Sequence, residues 1–173
     1  MSRRVVDTNV AIVANGRPDP SDPRPPSITC RKAAVTFLIE LVNEGTVLMD
    51  IDGAIQDEYR RYLNPRGAPG VGDRFYQIVL QSSPKLVERV ELPVRADGQY
   101  EDLPQSLIDA GFDPSDRKFA ALAHKEGVTV YNATDSDWIE CADVLAAAGI
   151  TVDNICGCDT NFWFTTEPVA IRI

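Results

Sequence analysis

Histidine and nucleotide-binding glycine motifs are scarce or absent in this sequence of 173 residues. His124 is the one histidine, so a Ser-His-Asp triad or a two-histidine mechanism must use that residue or is excluded. Its position late in a helical segment is more typical of a solvated histidine near a helix end. The sequence contains neither Gly-x-Gly-x-x-Gly nor a Gly-Lys-Ser/Thr segment, so dinucleotide or ATP chemistry has no local support.

Long apolar runs are also lacking. No run approaches the roughly 18–20 residues that a membrane span requires, so no membrane association is expected. Residues 1–7 contain two arginines with no apolar stretch behind them, which indicates a first strand rather than a signal peptide. We therefore expect a cytoplasmic protein.

Cysteine is sparse, and its spacing is informative. Without an export signal, reduced thiols are expected. The pair Cys156 and Cys158 could chelate zinc together with Cys30 and Cys141, but the spacing is not that of a usual structural zinc site. Small buried core residues are the favoured interpretation.

Basic residues are in the minority, with 17 Lys and Arg against 26 Asp and Glu and a net charge of −9. A surface that binds nucleic acid should be basic, because neutralising phosphates and releasing counterions drives non-specific affinity. Either the protein does not bind nucleic acid, or several carboxylates form a metal site whose local charge changes when cations bind. The positions of the acids distinguish these two hypotheses.

Strand-like and helical segments alternate along the chain. Apolar, β-branched runs predict strands at 3–7, 46–49, 128–131 and 151–155, with an edge strand or a helix at 86–92. Helical periodicity and stop signals predict helices at 9–15, 30–44, 52–63, 73–81, 106–110, 116–126 and 136–148, with Asp52 as the N-cap of the third. The alternation predicts one α/β domain over 1–173, with a mainly parallel central sheet flanked by helices and a strand-like C-terminal ending.

Acidic residues follow the strands at the edge where their carboxyl ends meet. Asp7 comes directly after the first strand, and Glu58 lies in the helix after the second. Asp116 opens a helix, and Asp135 and Asp137 follow a later strand. Because chemistry in parallel α/β sheets gathers where strand C-termini meet helix N-termini, we expect these carboxylates to converge on one cleft.

Converging carboxylates repel one another unless a cation lies among them. Oxygen ligands of this kind suit Mg²⁺ or Mn²⁺, which keep waters and accept phosphate oxygens as further ligands. A metal ion held in this way can activate a water for attack on phosphorus and can stabilise the charge that develops on the phosphate. The acidic set therefore predicts metal-dependent phosphodiester hydrolysis.

Four segments, in order, resemble the motifs of PIN-domain nucleases, which include VapC-type toxin ribonucleases. The segment Val5-Val6-Asp7-Thr8-Asn9 resembles their opening strand, and Gln56-Asp57-Glu58-Tyr59 is similar to their helical glutamate motif. Asp116-Arg117-Lys118-Phe119-Ala120-Ala121 resembles their third acidic motif, and residues 128–138 resemble their fourth. The similarity covers residues 3–155 in order and spacing.

The resemblance implies a Rossmann-like, three-layer fold and cleavage of single-stranded RNA. Many members are toxins, so a cognate antitoxin, another protein partner and a homodimer are candidate assemblies. A proline-rich insert at 17–29, a long stretch at 64–104 and a C-terminal extension from about 156 make this chain longer than compact toxins. The alternatives are a structure-specific DNA nuclease with the same site and a non-catalytic PIN-like scaffold, although a scaffold has no use for mutually repelling carboxylates.

The candidate site residues fall into three groups by role. Those expected to act in catalysis or metal binding are Asp7, Glu58, Asp116, Asp135 and Asp137, with Asp113 as a rival of Asp116. Those expected to orient the acids by hydrogen bonds are Thr8, Asn9 and Thr134. Those expected to contact phosphate are Arg117, Lys118, Arg60 and Arg61, followed by Arg66.

Overall fold

A computed structural model describes residues 2–18, 22–81, 83–157 and 159–165. The strands are β1 (Ser2–Val6), β2 (Gly45–Asp50), β3 (Val87–Val90), β4 (Val130–Asn132) and β5 (Val152–Asn154). The helices are α1 (Thr8–Ala14), α2 (Ile28–Glu44), α3 (Ala54–Tyr62), α4 (Val71–Leu80), α5 (Gln105–Asp109), α6 (Arg117–Glu126), α7 (Asp137–Glu140) and α8 (Ala142–Ala147). Among these helices, none is long and apolar enough to cross a membrane.

The described strands form one all-parallel sheet in the order β3-β2-β1-β4-β5. Helix α6 packs on β1, β2 and β4, while α2 and α3 contact β2. The parallel α/β architecture predicted from the sequence is therefore confirmed. The chain builds outward from β1 to β3 and then returns to the other side of β1 with β4, so the topological switch point lies between β1 and β4.

The central strands are buried on both faces. Val5 and Val6 of β1 are 0% and 1% exposed, and Val47, Leu48 and Met49 of β2 are at most 1% exposed. Successive strand side chains point to opposite faces, so burial of consecutive residues requires cover on both sides of the sheet. The loops that follow the central strands therefore start from a layer that is packed on both faces.

The N-terminus of α3 differs from the sequence prediction, because Asp52 is not its N-cap. The cap position is Gly53, whose φ of +87° lies in the left-handed region that favours glycine. Asp50, at the end of β2, accepts hydrogen bonds from the N–H groups of Ala54 at 2.7 Å and Ile55 at 2.8 Å. The first N–H groups of a helix have no partner within the helix. Asp50 therefore caps α3 although it lies three residues before the cap position.

The helix predicted at 136–148 is divided into α7 and α8. The backbone of Cys141 departs from helical values, with φ −99° and ψ 13°. Hydrogen bonds nevertheless continue across the break, from the Cys141 N–H to Asp137 O and from the Leu145 N–H to Cys141 O. The break therefore redirects the chain after the acidic loop without leaving these groups unpaired.

The proline-rich insert contacts the C-terminal segment. Pro26 and Phe164 form an antiparallel bridge, and the Ser27 N–H donates to Trp163 O at 2.8 Å. The Arg24 guanidinium lies 4.2 Å from the centre of the Phe164 ring. The proline-rich insert and the C-terminal extension, which make this chain longer than compact toxins, therefore pack on each other. Cys158 and residues 166–173, which include the predicted strand-like ending, lie outside the described residues.

Candidate metal centre

Three carboxylates meet at the topological switch point. Asp7 follows β1, Asp135 lies in the loop after β4, and Asp116 stands at the N-cap of α6. One oxygen from each lies within 4.8 Å of the other two. Two strand ends and the start of α6 thus bring Asp7 together with two carboxylates that follow it by more than one hundred positions in the sequence, at the predicted edge of the sheet.

Asp7 is held firmly by two hydrogen bonds. Its Oδ1 accepts from the Asn9 N–H at 3.1 Å, and its Oδ2 accepts from the Trp138 indole N–H at 2.6 Å. The side chain is buried, and this burial together with the nearby Asp135 carboxylate raises the pKa of Asp7 well above its usual range. The two donors favour the charged form but do not overcome desolvation.

Asp116 is the least satisfied member of the cluster. It is 3% exposed, and its Oδ2 has no hydrogen-bond partner among the described residues. Burial and the neighbouring Asp7 and Asp135 carboxylates raise the pKa of Asp116 to about 10. A buried polar atom without a partner is uncommon in folded proteins, and here it lies within an all-oxygen donor set. This chemistry fits a divalent cation of the Mg²⁺ or Mn²⁺ type, so the cluster could hold a metal ion.

A second acidic group shares Asp116. Oxygens of Asp113, Asp116 and Asp137 lie within 4.8 Å of one another. Asp113 was expected from the sequence only as a rival of Asp116, although residues three apart on a turn lie on the same side. Asp116 therefore stands between two groups of carboxylates, one with Asp7 and Asp135 and one with Asp113 and Asp137.

Glu58 belongs to neither group and is paired with a lysine. Its Oε2 forms an ion pair with the Lys118 ammonium, and its Oε1 accepts from the Thr8 hydroxyl at 2.9 Å. Lys118 is only 7% exposed and also donates to the carbonyl oxygen of Ser115. One lysine of α6 therefore acts as an internal cation that neutralises the glutamate of α3.

The polar residues around the cluster form hydrogen bonds between loops as well as with the acidic residues. The Asn9 side-chain oxygen accepts from the Thr134 N–H at 2.7 Å and from its hydroxyl at 3.3 Å. Thr8 donates to Glu58 instead of Asp7. Asn132, which the sequence analysis missed, accepts from the Asp135 N–H at 3.1 Å and donates to the Asp135 carbonyl at 2.8 Å. The feature of the sequence that could have identified Asn132 is a polar residue at the end of a buried strand, directly before an acidic loop.

The four basic residues named from the sequence lie in different environments. Arg117 points inward, with hydrogen bonds to Phe112 O at 2.9 Å and Gln99 Oε1 at 3.0 Å. Lys118 is held in the cleft by Glu58. Arg60 and Arg61 are exposed on α3, where Arg60 forms a 3.0 Å ion pair with Asp57. The two exposed arginines of this set therefore both lie on α3.

Comparison with known proteins supports the fold. No protein-family model matches the sequence, and no curated protein matches it either. A chain from the crystal structure of VapBC2 from Rickettsia felis bound to a DNA fragment from their promoter superposes with a TM-score of 0.50 and 14% sequence identity. The match covers 88% of this chain and 98% of that chain. The PIN-like α/β fold expected from the sequence is therefore confirmed.

Proposed function

We propose that this chain is a metal-dependent endonuclease that hydrolyses phosphodiester bonds in single-stranded RNA. The observation that carries the proposal is the buried, unpartnered Asp116 Oδ2 within a converging set of carboxylates. Such a group destabilises the folded protein unless a cation compensates it. A purely structural role would not require these carboxylates to meet at the switch point of the sheet.

Each side chain of the cleft has a distinct task in this proposal. Asp7, Asp116 and Asp135 would hold a Mg²⁺ or Mn²⁺ ion, and Asp137 with Asp113 would extend the anionic site on the other side of Asp116. When bound, the ion polarises water and the scissile phosphate. Trp138 fixes the Asp7 carboxylate through its indole N–H.

Glu58 forms another wall of the cleft in this proposal, and Lys118 pairs with it. The Lys118 ammonium neutralises Glu58 and holds its carboxylate beside the acidic cluster. The Thr8 hydroxyl fixes the other oxygen of Glu58, so that the glutamate is oriented for proton transfer at the edge of the site. The wall therefore carries no uncompensated negative charge toward an incoming phosphate.

We further propose a cytoplasmic protein of one domain that acts with a protein partner. The comparison structure is described as VapBC2 bound to promoter DNA, which supports an antitoxin-like partner. The RNA preference rests on the resemblance of four motifs to PIN-domain ribonucleases. A structure-specific DNA nuclease remains the second candidate, because the acidic cluster would serve either sugar backbone.

Cleavage of labelled single-stranded RNA with Mn²⁺ or Mg²⁺ tests the proposal. The wild-type protein should cleave with either ion and stop when EDTA is added. Asp116→Asn should lose about a hundredfold or more of the rate, because even residues outside the ligand set commonly change activity by 10- to 100-fold. Asp52→Asn, at an exposed aspartate beyond β2, is the matched control and should cleave like the wild type.

Three results would contradict the proposal. They are cleavage that persists in EDTA, wild-type rates for Asp116→Asn, and the absence of cleavage under every metal condition. Cleavage of branched or flapped DNA in preference to RNA would support the DNA nuclease instead.

A further inference from the structure

A groove with basic walls lies next to the acidic cleft. Its volume is about 640 Å³, and it is formed by α3, the loop after it and the facing side of α4. The residues on which its chemistry depends are Arg60, Arg61, Tyr62, Asn64, Arg66 and Tyr76. Three arginines in one groove form a local concentration of positive charge in a chain whose net charge is −9.

The positive charge of this groove is available to a ligand. Arg61 and Arg66 are exposed and form no ion pair with any of the described residues. Arg60 pairs with Asp57, but their side chains are 73% and 63% exposed, and ion pairs between exposed groups contribute little. Arginine presents a planar set of donors that matches two oxygens of a phosphate, so an anionic backbone is the natural occupant.

Tyr62 connects the basic groove to the acidic cleft. Its side chain lines both spaces, and it is 38% exposed. Glu58 and Tyr62 are four residues apart on α3 and therefore lie on the same side of the helix, toward the acidic cluster. An exposed aromatic ring beside arginines is the combination that proteins use to bind single-stranded nucleic acid, since bases stack on the ring while the backbone follows the charge.

We infer that this groove holds one strand of RNA beside the cleavage site, with Arg61 and Arg66 on its phosphates and Tyr62 against a base at the entrance to the cleft. The inference rests on the proposed nuclease function for its substrate class. The groove has the size of a small-ligand pocket, so it admits a short stretch of one strand. In a duplex the bases are stacked inside the helix, and their faces are not accessible to Tyr62.

Binding measured separately from cleavage tests the inference. Fluorescence anisotropy of a labelled single-stranded RNA dodecamer is titrated with protein in EDTA at several NaCl concentrations. The variants are Arg61→Gln, Arg66→Gln and Tyr62→Leu. The matched control is Lys85→Gln, which also removes one exposed positive charge but lies before β3, at the amino edge of the sheet. Thermal melting of each variant confirms that it is folded.

Each arginine variant should weaken binding and reduce the slope of log K against log salt by about 0.7, the value for one phosphate contact on a single strand. Tyr62→Leu should weaken binding about tenfold with little change in slope, since it removes stacking but no charge. Lys85→Gln should bind like the wild type, and duplex RNA of the same sequence should bind more weakly. The inference would be overturned if the three groove variants bound single-stranded RNA as tightly as Lys85→Gln and the wild type. Tighter binding of the duplex than of the single strand would also overturn it.

The two proposals fail in different ways. If groove variants bind RNA like the wild type while Asp116→Asn abolishes cleavage, the groove assignment is wrong and the nuclease proposal stands. If the wild-type protein never cleaves but the losses at Arg61, Arg66 and Tyr62 are seen, the groove stands and the nuclease proposal is wrong.

Discussion

Asp7 and Asp116 belong to the same cluster, but their carboxylates are satisfied differently. Both oxygens of Asp7 accept a hydrogen bond, whereas Asp116 Oδ2 accepts none from the described residues. Replacing a carboxylate with an amide relieves repulsion at either position. At Asp7 the new amide N–H₂ would face a donor, and the lost hydrogen bond costs about 1–3 kcal/mol.

The two amide substitutions are therefore expected to differ in stability. Without metal, Asp116→Asn should melt at a higher temperature than the wild type, and Asp7→Asn should melt below Asp116→Asn. With Mn²⁺, both variants should show a smaller rise in melting temperature than the wild type, because each lacks one anionic oxygen of the cluster. Calorimetry or circular dichroism with EDTA and with Mn²⁺ measures both effects. A lower metal-free melting temperature for Asp116→Asn, with an undiminished response to Mn²⁺, would contradict the electrostatic account.

At the scale of elements, helix α3 depends on a cap that precedes it by a tight turn. Asp50→Ala removes both hydrogen bonds to the first N–H groups of α3 and should lower the free energy of unfolding by about 1–2 kcal/mol. Asp52→Ala is the control, because Asp52 is exposed and does not occupy the cap position. Urea unfolding of the two variants decides the matter, and an equal loss in both would show that the capping assignment is wrong.

The same pair of aspartates shows how far the sequence predicts this fold. The alternation of apolar runs and glycine stops identified four of the five described strands and left 86–92 open between an edge strand and a helix. It also located the helices, although the one predicted at 136–148 is divided, because burial on a sheet and helix termination are local properties. The choice between Asp50 and Asp52 was not local. It depends on Gly53 adopting a left-handed conformation, which turns the chain so that the earlier carboxylate reaches the helix start.

The candidate site was partly predictable for the same reason. The acids at strand ends were identified because a parallel sheet brings carboxyl ends to one edge. The partners of these acids come from other elements. Trp138 binds Asp7 across 131 positions, and Lys118 binds Glu58 across the cleft. No periodic pattern in the sequence predicts such contacts. Lys118 was expected to contact a substrate phosphate, and in the structure its ammonium group pairs with Glu58.

At the scale of the whole molecule, the buried acids make metal-free stability depend on pH in an unusual direction. Burial and mutual repulsion raise the pKa of Asp7 and Asp116 in the folded state, the latter from 3.8 to about 10. Between these values the two carboxyl groups bind more protons in the folded protein than in the unfolded chain. Their contribution to stability is therefore greatest below pH 4 and falls as pH rises toward 10. Ordinary paired carboxylates have the opposite effect.

The difference between the wild type and Asp116→Asn isolates this contribution. In EDTA, the melting temperature of the wild type relative to the variant should decline from pH 5 to pH 9. Mn²⁺ should stabilise the wild type more at pH 8 than at pH 5, because metal ligands must be deprotonated. A pH-independent difference between the two proteins would show that Asp116 does not titrate as a buried, repelled carboxyl group.

The strand order also determines when the cluster exists during synthesis. β1 is made first, but it lies in the middle of the sheet between β2 and β4, and its neighbour β4 begins only at Val130. A ribosome that has released β1, β2 and β3 has therefore produced Asp7 without Asp135 or the Trp138 indole. Domains fold as units during translation, so the acidic cleft forms only after β4 and the loop with Asp135 have emerged. On the nuclease proposal, a nascent chain that ends before Asp135 lacks one of the three carboxylates, so it should not cleave the message that encodes it.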